Sequence, residues 1–195
     1  TNDFASSHKI PKNMLKAATV AAYGKANYCD VGSINNEFFT YVAGFGAFTD
    51  VSYETPQATK NTIGRVAYIL EGMKRLPRLK SYHMTVKYED TVIEDEFILG
   101  LITNSCSVAG FKGFKEKEIL LDDGLYEVTL IKIPKNPLEL QAIINTLITK
   151  EVSTNLIYSF RTNEMTIEGD EKIPWTLDGE FGGSFSQANI KIYKQ

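Results

Sequence analysis

The sequence predicts a mainly β fold with inserted helices, an α+β domain built around an antiparallel sheet. Two observations lead to this prediction. From Ser81 to the end of the chain, short segments that suit strands follow one another at close spacing, with helices inserted rather than alternating with them. Helical spacing of apolar residues is found only in the segments 12–25 and 58–76 and in a segment that begins at Asn136.

The composition is that of an ordinary globular protein and excludes several classes of protein. The 195 residues suffice for one domain, or for one domain and a fragment of another. The net charge of -3 lacks the basic excess typical of nucleic-acid binding, so no nucleic-acid partner is expected. No apolar run approaches the roughly 20 residues of a membrane-spanning helix, so we expect no transmembrane segment.

The metal-binding residue types narrow the possible chemistry. Cys29 and Cys106 have no metal-ligand spacing, and free thiols in a reducing cytosol are the better interpretation. His8 and His83 are the only histidines, so the sequence offers few ligands for a histidine-based zinc site and few candidates for a catalytic triad. Any metal is therefore expected to be a hard cation held by oxygen ligands.

The individual elements follow from local signals. The helix over 12–25 has Pro11 at its start and Gly24 near its end, and the third helix has Asn136 as its cap with Pro137 at the first helical position. From Ser81 onward the apolar period changes to two. The strand segments predicted after that point are 84–88, 92–103 (one or two strands), 126–133, 155–161, 165–168, 174–177 and 188–193.

The segment 38–48 is rich in aromatic residues and glycine, including Phe38, Phe39, Phe45 and Phe48. A buried strand that ends in a tight turn is the favoured interpretation. The alternative is one wall of a pocket for an acyl chain, because such a wall is also apolar.

Two short acidic segments are the candidate sites. Asp178 and Glu180 flank Gly179, and in an extended strand both would point to the same face, with the glycine leaving room for a substrate. Asp-Gly is also the strongest short signal for a hairpin turn, which these residues alone favour. Asp122 and Asp123 precede Gly124, and this segment could simply turn the chain.

Three motifs in order resemble the diacylglycerol kinase family, in particular the bacterial soluble lipid kinases of the YegS/BmrU type. They are Thr-Asn-Asp-Phe-Ala at 1–5, Leu-Asp-Asp-Gly at 121–124 and Leu-Asp-Gly-Glu at 177–180. The segment from Asp30 to Asn35 is similar to a further Asp-x-Gly-x-x-Asn pattern of the family. Asp30 could equally be an ordinary turn residue, and we assign it no catalytic role.

The resemblance implies a fold and a division of the chain. Residues 26–195 would form the antiparallel β-sandwich second lobe of the NAD kinase/diacylglycerol kinase-like fold, which takes the lipid substrate. Residues 1–25 would be a remnant of the nucleotide-binding lobe. The family's Gly-Gly-Asp-Gly-Thr motif does not occur in this sequence. We therefore expect the chain to be a fragment that is inactive by itself.

The resemblance also implies ATP- and Mg²⁺-dependent phosphorylation of a lipid hydroxyl such as that of diacylglycerol, by a cytoplasmic protein peripheral at the membrane. Asp178 or Glu180 would accept the hydroxyl proton, and the spacing does not decide between them. Asp3 would join the interface between the lobes. The remaining implied sites are Thr1 and Asn2 for the nucleotide, and the Asp123 carboxylate with the carbonyls of Leu120 and Leu125 for a structural magnesium ion.

Two other functions stay open at this point. A non-catalytic lipid-binding or interaction module could share the fold without needing both acids. A related kinase could instead phosphorylate a different acceptor, such as a sphingoid base or phosphatidylglycerol. An exposed sheet edge could also pair two chains into a homodimer.

Overall fold

The computed structural model describes residues 3–46, 80–104, 107–108, 111–112, 121–149 and 154–194. Within these ranges the protein is mainly β with a few helices, which confirms the predicted fold class. The predicted helix over 58–76, together with Thr1, Asn2 and Leu120, lies outside the described residues. No helix in the described ranges is long and apolar enough to cross a membrane.

Three helices and eleven strands make up the described part of the chain. The helices are α1 (Asp3–Ser7), α2 (Met14–Tyr23) and α3 (Pro137–Thr149). The strands are β1 (Val31–Ile34), β2 (Glu37–Phe39), β3 (Val42–Gly46), β4 (Tyr82–Tyr88), β5 (Thr91–Thr103), β6 (Ser107–Val108), β7 (Phe111–Lys112), β8 (Tyr126–Lys132), β9 (Ile157–Thr162), β10 (Glu164–Leu177) and β11 (Glu180–Tyr193).

The pairings of the described strands are all antiparallel. Nine strands form one sheet in the order β2-β1-β11-β10-β3-β5-β8-β9, and β4 also pairs with β10 and β5. β3 and β4 therefore lie one after the other between the same two long strands. The two-layer sandwich that the resemblance implies stays a prediction, because these strands pair along one continuous path.

Strands from distant parts of this path bury side chains in the same core. Phe39 of β2 meets Tyr126 of β8 edge to face, with 5.5 Å between ring centroids, and Phe45 meets Trp175 in the same way at 5.0 Å. All four are at most 1% exposed, and burying each large side chain stabilises the fold by about 1.5–3 kcal/mol. A smaller cluster seats Ile143 of α3 against β5, β8 and β9.

The aromatic segment forms two strands rather than one. Phe39 and Phe45 are buried in the core, as the buried-strand prediction requires, whereas Phe38 is exposed. Phe48 lies outside the described residues.

The predicted helix over 12–25 is shorter than expected and packs differently. It runs from Met14 to Tyr23, and Asn13 caps it by accepting a hydrogen bond from the Lys16 N–H. None of its residues is buried. Its apolar spacing therefore identified the helix but not a buried face.

The strands predicted at 165–168 and 174–177 are two parts of the single strand β10. The register against β11 shifts between Glu168 and Ile173, which interrupts the alternation of apolar residues. Pro174 lies inside this strand although proline usually marks a strand boundary. These two features explain why one strand gave two separate signals.

Candidate functional site

Asp178 and Gly179 form the two-residue turn between β10 and β11. Their φ angles are 50° and 98°, and positive φ at both positions is the condition for a tight hairpin turn of this kind. The hairpin alternative is thus confirmed, and the placement of Asp178 and Glu180 on one face of an extended strand is wrong. A Cβ atom at Gly179 would meet no described atom within 4 Å.

The Asp178 carboxylate binds the loop between β2 and β3. Its Oδ2 accepts hydrogen bonds from the Thr40 N–H at 2.8 Å and the Thr40 hydroxyl at 3.1 Å. Its Oδ1 accepts from the N–H groups of Tyr41 and Val42, each at 2.9 Å. The Asp178 N–H donates in return to the Val42 carbonyl at 2.8 Å. The four donors use the acceptor sites of both carboxylate oxygens.

Glu180 stands in contrast to Asp178. It is the first residue of β11 and is exposed. Its carboxylate makes no hydrogen bond or ion pair with a described residue. Of the two acids in this hairpin, Glu180 is therefore the one whose oxygens are available to a substrate.

The loop that Asp178 holds, residues 40–42, also contacts the amino-terminal segment. The ring of Phe4 in α1 lies edge to face against the ring of Tyr41, with 6.1 Å between centroids. Phe4 makes a second such contact, at 4.5 Å, with His8. The structure thus brings α1, which begins at Asp3, next to the Asp178 turn; the side chain of Asp3 lies outside the described part.

Asp30, which is distant in sequence, binds the loop that contains Asp122, Asp123 and Gly124. This aspartate is fully buried, and its carboxylate accepts a hydrogen bond from the Gly124 N–H. The Asp30 N–H donates to the Leu121 carbonyl at 2.7 Å. Asp30 therefore fixes both ends of residues 121–124.

Asn104 and Tyr126 complete this buried polar group. The Asn104 Nδ2 donates to the Leu121 carbonyl at 3.0 Å, and the Tyr126 hydroxyl donates to the Asp30 carbonyl at 3.0 Å. Burial, followed by the charge of Asp30, raises the pKa of the Tyr126 phenol well above its usual value. The charge of Asp178 adds to this shift, so the Asp178 turn lies within electrostatic reach of Tyr126.

Asp123 was predicted to hold magnesium, and its carboxylate has two partners in the structure. Oδ1 accepts from the Leu125 N–H at 3.0 Å, and Oδ2 is 2.6 Å from Nη2 of Arg161. The donor chemistry fits a hard cation, because Asp123 and the Leu125 carbonyl both offer oxygen. Each carboxylate oxygen retains one acceptor site. A magnesium ion would nevertheless share Asp123 with the Arg161 guanidinium.

The site combines three acids that the sequence predicts, Asp123, Asp178 and Glu180, with buried residues for which it predicts no site role. These buried residues are Asp30, Asn104 and Tyr126. The signal available at Asn104 is a resemblance: Asn104-Ser105, followed by Gly110-Phe111, is similar to an Asn-Ser-x-x-x-Gly-Gly-Phe motif of the diacylglycerol kinase family, with Ala109 in place of a glycine. No group of three or more His, Cys, Asp or Glu side chains suited to a metal occurs among the described residues.

Comparisons with known proteins identify relatives along the whole chain. No family model matches the sequence. It is 30% identical over 195 residues to a protein named diacylglycerol kinase from Bacillus subtilis (strain 168), covering 100% of this chain and 64% of that protein. It is 32% identical over 196 residues to a diacylglycerol kinase from Staphylococcus carnosus (strain TM300), covering 100% of this chain and 63% of that protein. The chain thus spans slightly less than two thirds of these relatives.

Solved structures agree with the fold. A crystal structure of a protein from Bacillus anthracis str. Sterne, provisionally named a diacylglycerol kinase, superimposes with a TM-score of 0.73 at 22% identity and covers 99% of this chain and 64% of that one. A diacylglycerol kinase structure from the same organism gives 0.66 at 20% identity, with 99% and 60% coverage. Over its whole length, the chain is therefore similar in sequence to bacterial proteins named diacylglycerol kinase, and it shares the fold of these solved structures.

Proposed function

We propose that this chain is the acceptor-binding part of a lipid kinase that transfers a phosphoryl group from ATP to a lipid hydroxyl, such as that of diacylglycerol. One observation supports this most directly. The loop 40–42 is bonded to Asp178, its Tyr41 ring packs on Phe4, and the Tyr41 carbonyl accepts a hydrogen bond from Asn104, which reaches the 121–124 loop. Three segments far apart in sequence meet around one short loop.

In this proposal the two acids of the hairpin have different roles. Asp178 positions the turn, because both its oxygens are engaged by the loop 40–42. Glu180 is the general base, because it is exposed and has no described partner. A general base must have an oxygen within hydrogen-bond reach of the proton that it accepts.

The proposed reaction is a direct phosphoryl transfer. The lipid hydroxyl oxygen bonds to the γ-phosphorus of ATP, and the bond between that phosphorus and the oxygen bridging to the β-phosphate breaks, releasing ADP. The hydroxyl proton moves to the Glu180 carboxylate. Such a transfer needs positioning and charge neutralisation more than covalent chemistry from the protein.

Magnesium and ATP are part of the proposal. Asp123 and the Leu125 carbonyl, with the carbonyl of Leu120, would hold a structural magnesium ion that orders the 121–124 loop. Thr1 and Asn2 would contact the nucleotide, and Asp3 would lie at the boundary between the nucleotide-binding part and the described sheet. Because the acceptor is a membrane lipid, the protein would act as a cytoplasmic enzyme peripheral at the membrane surface.

The test is ATP consumption by the full-length protein with magnesium and diacylglycerol in mixed micelles. Glu180→Gln should lower turnover by about 10²–10⁴-fold, the usual contribution of a general base. Glu164→Gln changes another exposed glutamate, at the start of β10, and should leave turnover unchanged. Full activity of Glu180→Gln would remove the role assigned to Glu180. If ATP is not consumed with diacylglycerol, sphingoid bases or phosphatidylglycerol, the kinase proposal fails.

A further inference from the structure

We propose that Asn104 is a positioning residue that couples the Asp178 turn to the 121–124 loop. This inference deepens the proposed function, on which its catalytic consequence rests. Asn104 directly follows β5 and is 1% exposed. Its main-chain N–H donates to the Tyr41 carbonyl at 3.1 Å, and its side-chain Nδ2 donates to the Leu121 carbonyl at 3.0 Å. One residue thus bonds to both loops.

Each of these bonds lies one step from a group that orders its loop. On one side, the N–H of Tyr41 donates to Oδ1 of Asp178 at 2.9 Å. On the other side, the Leu121 carbonyl also accepts from the Asp30 N–H at 2.7 Å, and the Asp30 carboxylate binds Gly124. A shift of Asn104 therefore displaces the main chain beside the Asp178 turn and the main chain of the 121–124 loop together.

The side-chain amide of Asn104 has one atom that its described surroundings do not use. Its Oδ1 is buried and accepts no hydrogen bond from a described residue. A buried acceptor without a partner destabilises a fold relative to an apolar group of the same size. The donor Nδ2, directed at Leu121, is thus what this side chain supplies, and it is a bond between loops rather than a contribution to a strand ladder.

The coupling has a consequence for the proposed reaction. Loss of the Nδ2 donor removes the bond to Leu121 and with it the anchor of the Asn104 main chain, whose N–H holds the Tyr41 carbonyl, so both loops should loosen while the sheet stays intact. In the full-length protein, turnover should then fall while the KM for the lipid stays the same, because Asn104 is buried and the acceptor does not touch it. Turnover is expressed per mole of folded protein, because a residue that only stabilised the fold would lower the folded fraction and leave the turnover of each folded molecule unchanged.

The deciding experiment is hydrogen–deuterium exchange of the protein with Asn104→Ala, read at the amides of residues 40–42 and of Gly124. Both sets should exchange at least about tenfold faster than in the parent, while amides of β8 and β11 keep their protection. Asn136→Ala is the matched control, because it removes side-chain hydrogen bonds at the start of α3 only. It should leave both loops unchanged.

A second variant keeps the inference testable if Asn104→Ala does not fold. Asn104→Leu has nearly the same size and removes the Nδ2 donor without adding a charge, so it should give the same two-loop pattern. Faster exchange confined to the 121–124 loop, or equal acceleration across the sheet in Asn104→Leu, would overturn the coupling. Because exchange is read without substrate, this result is independent of whether the protein is a lipid kinase.

Discussion

The two Asp-Gly turns of this protein are opposite in construction. At Asp178-Gly179 the turn residue is the acceptor: its exposed carboxylate collects donors from the loop 40–42. At Asp123-Gly124 the turn supplies the donor: the buried Gly124 N–H is bound by Asp30 from another part of the chain. The same dipeptide thus supplies the acceptor that orders a neighbouring loop in one place, and in the other place it is ordered by an acceptor from a distant residue.

The largest effect on stability is expected where the turn is the acceptor. In Asp178→Asn the amide NH₂ group would replace one oxygen and face the Thr40 N–H, which would lose its acceptor. We expect the free energy of unfolding to fall by about 2–4 kcal/mol, because charge-assisted bonds are lost and a donor is left unpaired. Urea unfolding measures this. A loss below 0.5 kcal/mol, roughly the limit of a weak surface contact, would contradict the positioning role of Asp178.

A smaller loss is expected at the second turn. Asp30→Asn keeps one oxygen for the Gly124 N–H but removes the buried charge, so we expect about 1–3 kcal/mol in the same measurement. If the contrast between the turns is correct, this variant should also increase the protease sensitivity of residues 121–124 and leave residues 40–42 unchanged. Increased cleavage at both loops would point to a shared loss of structure instead.

The glycines themselves should behave alike. Gly179 and Gly124 have φ angles of 98° and 80°, where a Cβ atom is strained. At Gly179 a Cβ would meet no described atom within 4 Å, and at Gly124 the nearest atom is Cβ of Lys194 at 3.4 Å, an ordinary van der Waals contact. Alanine at either position should therefore cost about 1–2 kcal/mol, from the backbone alone. A much larger loss at Gly124 in thermal unfolding would show that its surroundings cannot adjust.

The smallest effect concerns pH. The raised pKa of Tyr126 keeps the phenol protonated in the folded state at about pH 10, where tyrosines of the unfolded chain ionise. The unfolded state then binds fewer protons, so stability falls as the pH rises above about 10. Tyr126→Phe should cost about 0.5–1.5 kcal/mol near neutral pH, for the lost bond to Asp30. Urea unfolding at several pH values should also show that the free energy of unfolding of Tyr126→Phe falls less steeply above about pH 10 than that of the parent. An equally steep fall would show that Tyr126 is not the group that causes it.

The sequence predicted the fold well where local signals and packing agree. The alternation of Met84 and Val86 identified β4, and both side chains are buried. The capping signals at Asn136 identified the start of α3, where Asn136 Oδ1 accepts from the Glu139 N–H at 2.9 Å. The prediction failed where a bulge interrupted the period in β10, since periodicity cannot show a register shift.

The candidate site was only partly predictable. The acids at 178 and 180 were found, but not their different environments, because the donors to Asp178 come from a loop more than a hundred residues earlier in the chain. Asp30 looked like an ordinary turn residue. Its contact with Gly124 depends on how distant strands pair, which short-range sequence patterns do not report.

The succession of β3 and β4 between the same two strands has a consequence for how the sheet opens. β10 and β5 each pair with β3 over one part of their length and with β4 over another, so two short strands share a single position in the sheet. Because β3 and β4 are separate strands, loss of pairing at one of them should leave the other paired, and this position of the sheet can open in two independent steps.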